Sequence, residues 1–119
     1  MQPYRHTRKE TIVNLPAPVR TFFDADKGPP DTAPLDAFAS DAVVEDEGRT
    51  HAGPEAIGAW WRAAKAQYHH RAEPCEIHEE QDRTLVRAQV TGQFPGSPAL
   101  INFAFRLVKR RIAALRIGA

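Results

Sequence analysis

The feature that most constrains this chain is an alternation of apolar and polar residues running from Thr84 to Ile117 with two short interruptions. Side chains alternate across a strand, so a period of two means one buried face and one open face. Val86, Ala88, Val90 and Phe94 fall on one side and Arg87, Gln89, Thr91 and Gln93 on the other. Pro95-Gly96-Ser97-Pro98 interrupts the run with turn chemistry. Leu100 to Val108 resumes it, with Ile101, Phe103, Phe105 and Leu107 together. Lys109-Arg110 makes a hairpin tip, and Arg111 to Ile117 returns Ala113, Leu115 and Ile117 to the apolar side. Three adjacent strands on short turns predict an antiparallel meander with one apolar face. Residues 72–80 predict a further strand, in which Cys75 and Ile77 alternate with Glu76 and His78.

A sheet with one apolar face needs a covering layer. Upstream, Asn14-Leu15-Pro16 reads as a helix start, and Val19, Phe22 and Phe23 form its stripe. Gly28-Pro29-Pro30 stops that helix, and Asp31 can cap a shorter second one carrying Leu35 and Phe38. Ala42 to Glu47 predicts a strand ended by Gly48. In it Val44 and Asp46 share the apolar side, while Glu45 and Glu47 point away. Gly53-Pro54-Glu55 opens a third helix over residues 54–69, whose Ile57, Trp60, Trp61, Ala64 and Tyr68 make an aromatic face. The order predicts an α+β domain, a curved antiparallel sheet with three helices on its concave face.

A length of 119 residues suits one domain. Residues 1–13 read as a flexible basic arm and 14–119 as the domain. The net charge of +1 speaks against a nucleic-acid partner. No apolar run approaches the roughly 18 residues of a membrane span, and no membrane association is expected. Arg5, Arg8 and Lys9 are followed by no apolar segment, so no secretory signal is read and the cytoplasm is the expected compartment. The single Cys75 excludes an internal disulfide. His69 and His70 are adjacent and point to different sides, and no His-x-x-x-His or Cys-x-x-Cys spacing occurs. Neither a metal nor a cofactor is expected.

The stretch Phe38 to Asp46, then Gly53-Pro54-Glu55-Ala56-Ile57 and Trp60, resembles the nuclear transport factor 2-like superfamily. Gly92 to Pro98, the aromatic strand after it, and Arg111-Ile112 resemble it too. The nearest branch is the SnoaL-like group of polyketide cyclases and ketosteroid isomerase-like proteins. The resemblance spans about residues 15–118 and implies a cone-shaped shell around a pocket, a fold that hosts many activities. It places Asp46 at the proton-shuttling position of the isomerases and Trp60 at a lining aromatic. The isomerase's oxyanion tyrosine has no counterpart among Thr21, Phe22 and Phe23, and its oxyanion acid falls near Phe103. An epoxide-hydrolase relay lacks its acids, since the long strands carry only the outward Arg87, Arg106 and Arg116.

The expected site is therefore a mostly apolar pocket lined by Phe22, Val44, Trp60, Val86, Ala88, Val90, Phe94, Ile101, Phe103, Phe105, Leu115 and Ile117. Asp46 is its internal charge. Lost hydration would raise the Asp46 pKa and fit it to move protons near neutrality. Trp Nε1–H and Tyr O–H are the available substitutes for the missing oxyanion donors. The expected ligand is a hydrophobic small molecule, acted on by a cofactor-free isomerase, cyclase or dehydratase. A non-catalytic ligand-binding or dimeric accessory protein is the alternative, with Asp46 tied into a structural bond. The half-polar outer sheet face predicts a homodimer.

Overall fold

The computed structural model describes residues 14–118, so the expected arm at 1–13 lies outside the described residues. Two helices and six strands follow one another as α1 (Ala17–Asp26), β1 (Phe38–Asp46), β2 (Arg49–Ala52), α2 (Gly53–Tyr68), β3 (Arg71–Glu80), β4 (Arg83–Thr91), β5 (Ala99–Val108) and β6 (Arg111–Gly118). The strands form one sheet in the order β2-β1-β6-β5-β4-β3.

The meander appears as expected, with β3, β4, β5 and β6 paired antiparallel in sequence. The sheet is nevertheless mixed, because β1 pairs parallel to β6. That joint is non-local, and alternation within a strand carries no information about its neighbour's direction. The expected second helix is a single 3-10 turn, Leu35–Ala37, and Phe38 already belongs to β1. Pro34 precedes the turn and the strand follows it, which leaves no length for a helix. Among the described residues two helices, not three, therefore cover the sheet. Asn14 does not cap α1; Pro16 occupies that position without a side-chain bond, and Pro18 sits in the first turn, where its missing N–H costs nothing.

The core lies between α1, α2 and the concave face. Phe22 is its hub, meeting Phe23, Phe38, Trp61, Phe103 and Phe105 edge-on with ring centroids 5.1–6.3 Å apart. These are the offsets aromatic quadrupoles prefer. Ile57, Trp61 and Lys65 recur every fourth residue of α2 and are buried. Trp60, Ala64 and Tyr68 form the adjacent stripe. On β3 the alternation changes phase at a bulge, because Pro74 pairs with Ala88 but Glu76 with Arg87, leaving Cys75 as the extra residue. Its Sγ donates to the Arg87 carbonyl at 3.3 Å.

Candidate functional site

The concave side is not filled throughout. A cavity of about 360 Å³ is walled by α2, the end of α1, and residues of β4, β5 and β6. That is within the range of small-molecule sites.

Asp46 ends β1. Ala42 and Val44 are buried, and the two-residue period puts the Asp46 side chain on their face, at the cavity. The Trp60 Nε1–H donates to its Oδ2 at 3.0 Å. Burial drives the Asp46 pKa upward; the Trp60 bond opposes this, the Glu47 charge adds to it, and His51 pulls it back. The net position is above the ordinary carboxylate value. His51 flanks Trp60 with ring centroids 6.0 Å apart.

Glu47 departs from the expected outward direction. It is the first residue of a two-residue hairpin loop, with φ of 54° there and 75° at Gly48. The turn re-aims its carboxylate to the cavity, where Oε2 accepts the Tyr68 O–H at 2.8 Å. That bond holds the phenolic proton and raises the Tyr68 pKa. The Trp60 Nε1–H and Tyr68 O–H are thus engaged by carboxylates of the protein itself.

A second polar group stands at the junction of α1, α2 and β3. Lys65 and Asp26 are each only 5 % exposed. Lys65 Nζ donates to Asp26 Oδ1 at 2.5 Å, to the Asp26 carbonyl at 2.8 Å and to the His70 carbonyl at 2.9 Å. Asp26 Oδ2 accepts the Ala72 N–H at 2.6 Å. Burial lowers the Lys65 pKa, while Asp26 opposes the shift. His70 lines the cavity beside this pair. Among the described residues no group of three His, Cys, Asp or Glu side chains is arranged to hold a metal ion.

Of the expected lining, Phe22, Trp60, Val90, Phe94, Ile101, Phe103 and Ile117 reach the cavity with Asp46. Val44, Val86, Ala88, Phe105 and Leu115 do not; they are buried in the core. They occupy the correct face but the wrong depth, where α1 packs down, as in the 5.4 Å contact of Phe22 with Phe105. Trp61 is buried and also lines the cavity, with no partner for its Nε1–H among the described residues.

The family model for a SnoaL-like domain matches residues 19–114. The chain belongs to the SnoaL-like domain family. Among solved structures, this SnoaL-like domain is similar to a putative polyketide cyclase from Sinorhizobium meliloti, with 47 % identity, a TM-score of 0.83, and coverage of 87 % of this chain and 95 % of that one. It shares a fold with a hypothetical protein of ketosteroid isomerase-like fold from Catenulispora acidiphila (20 % identity, TM-score 0.77, coverage 89 % and 87 %). It also shares one with a putative isomerase of the SnoaL-like family from Agrobacterium tumefaciens (15 % identity, TM-score 0.70, coverage 85 % and 92 %). No curated protein matches the SnoaL-like domain.

Glu47, Asp26, Lys65 and His70 escape pattern reasoning in this SnoaL-like domain. Only for Glu47 does a local signal exist, since Glu47-Gly48 between two short strands is a hairpin turn that redirects its first residue. Asp26 and Lys65 lie 39 residues apart and meet only once both helices are docked.

Proposed function

We propose that the cavity binds a hydrophobic small molecule and that Asp46 moves a proton on it, as a cofactor-free isomerase, cyclase or dehydratase. The observation that carries this reading is a half-buried carboxyl at an apolar cavity with its pKa raised by burial. A carboxyl so placed is both a stronger base when ionised and an available acid when protonated. The similarity to the putative polyketide cyclase supports the same class of chemistry. One observation favours a binding module instead: Trp60 donates to Asp46, as a structural acceptor would require. The two readings differ in whether a base works in the cavity.

5-Nitrobenzisoxazole tests this without knowledge of the natural substrate. A base takes its ring C–H proton, the released pair forms the nitrile, the N–O bond breaks, and a coloured phenolate leaves. The chain is expected to accelerate this opening over buffer. Asp46→Asn, which keeps the shape and the Trp60 contact, is expected to lose the part of the rate that titrates with Asp46, roughly 10²-fold over the uncatalysed opening, the range for one positioned acid or base. Equal rates for the two proteins would leave the binding-module reading standing.

A further inference from the structure

The His70 ring lines the cavity without a hydrogen bond to any of the described residues. The residue's carbonyl accepts from Lys65 Nζ at 2.9 Å. Its position is fixed from the other side by Gly92, where a Cβ would come within 2.8 Å of the Tyr68 carbonyl oxygen and 2.9 Å of the His70 Cα. The ring makes no hydrogen bond. Nδ1 is buried without a partner, and Nε2 stands 3.6 Å from Asp26 Oδ1, too far for a hydrogen bond. Asp26 does not need it, because Lys65 and the Ala72 N–H already satisfy its two oxygens. A structural histidine would pair its nitrogens; a buried unpaired nitrogen calls for a reason.

We infer that His70, with Asp26 behind it, is a second acid–base group of this cavity, acting with Asp46 on the same bound molecule. The inference rests on the reading of Asp46 only in that both serve one ligand. The two come from different ends of the sheet. Asp46 ends β1 and His70 precedes β3, with β6, β5 and β4 between them in the strand order. The curvature of the sheet returns both to one cavity, and Tyr68 links them. Its O–H meets Glu47, next to Asp46, and its ring centroid is 6.4 Å from that of His70. A ligand in the cavity is therefore met from two sides.

The charges around His70 suit a base. Asp26 faces it from α1, and Lys65 and the phenol of Tyr68 from α2. Lys27 and Arg71 act at one remove, through Lys65. Burial and then Lys65 favour the neutral imidazole, and Asp26 partly opposes them. Nε2 of neutral His70, the ring nitrogen that is not buried, takes a proton from a C–H or O–H of the ligand, whose bonding pair stays on the ligand. Protonated Asp46 gives a proton to a second ligand atom. The ligand's proton count is unchanged, and no oxidant, reductant or co-reactant enters. The Asp26 carboxylate stabilises the imidazolium until the protons return.

The pH profile of 5-nitrobenzisoxazole opening by the full chain, from pH 4.5 to 8.5, separates the two groups. Benzisoxazole opening needs only a base, which either group supplies once deprotonated, so the wild type is expected to rise in two steps. His70→Gln keeps the carbonyl that Lys65 binds, and should lose one step together with the rate which that step adds. Asp46→Asn should lose the other. A His70→Gln profile that superimposes on the wild type overturns the inference and leaves Asp46 standing. An Asp46→Asn profile that superimposes overturns the Asp46 reading alone. A wild-type rate equal to buffer at every pH overturns both. Diethyl pyrocarbonate, which acylates a neutral imidazole nitrogen, gives a check on the wild type that no misfolded variant can spoil. Acylation of His70, mapped by mass spectrometry and titrating below the ordinary histidine value, is expected. An inert His70 beside reactive His69 and His78 overturns the inference.

Discussion

At the scale of single residues, the opposed shifts of Asp46 and His70 make a pH signature of stability. A carboxyl whose pKa is raised on folding stabilises the fold while protonated. That contribution is complete below the unfolded value and fades as pH rises through the folded one. The raised Asp46 therefore costs stability at neutral pH, and Asp46→Asn should be at least as stable as the wild type at pH 7 while losing relative ground at pH 4. The lowered His70 has the opposite sign. Its contribution is present above the ordinary histidine value and is lost as pH falls through the folded one. Urea midpoints of the wild type and the two variants at pH 4, 5.5 and 7 check both signs. Gly92 gives a prediction free of charge. A methyl there meets backbone on both sides at under 3.0 Å, which cannot yield as a side-chain tip would. Gly92→Ala should destabilise by about 1–3 kcal/mol, the usual cost of overpacking. It should also disturb the His70 signals in an NMR spectrum.

At the scale of elements, hydrophobic period reveals faces, and tertiary closure decides depth and direction. The strands β4, β5 and β6 and the helix α2 are legible because each carries several turns or pleats of consistent pattern. The short β2 (Arg49–Ala52) was not, because its four residues, Arg-Thr-His-Ala, carry no apolar alternation. The faces of Asp46 and Trp60 were legible, one from a two-residue period and one from a helical one, while their place at a pocket came from the family resemblance. The Asp26–Lys65 pair was not, since two separate helices supply it. That pair joins α1, α2 and β3, and its members have no solvent to fall back on. Lys65→Met leaves the Asp26 carboxylate unpaired and should cost about 3–5 kcal/mol in a denaturation midpoint, as breaking one side of a buried pair does. The hairpin between β5 and β6 has strain to release. Lys109 and Arg110 take φ of 52° and 69°, the left-handed region in which L side chains are crowded. Replacing them by Asn-Gly should raise stability by roughly 0.5–1 kcal/mol, since that pair suits a two-residue hairpin turn.

At the scale of the whole molecule, the two described helices cover one face of the sheet, and among the described residues nothing covers the other. On β5 the inward Phe103 and Phe105 alternate with Leu100, Asn102, Ala104, Arg106 and Val108. Leu100 and Val108 are 54 % and 42 % exposed. Arg87 on β4 reaches Asn102 at 3.3 Å, and Arg116 on β6 pairs with Glu45. We propose that a second copy of the chain covers this face, in a two-fold contact where the same patch meets itself. Ala104 lies mid-strand, opposite Leu85 on one side and Arg116 on the other. A cation placed there would add to Arg87, Arg106 and Arg116 and, through the two-fold, face its own copy. Ala104→Arg should therefore convert a dimer to a monomer in sedimentation velocity, while circular dichroism and benzisoxazole opening stay as in the wild type, because the cavity is on the other side of the sheet. A wild-type chain that sediments as a monomer at high protein concentration would remove the outer face from the account. A dimer untouched by Ala104→Arg would place the contact elsewhere.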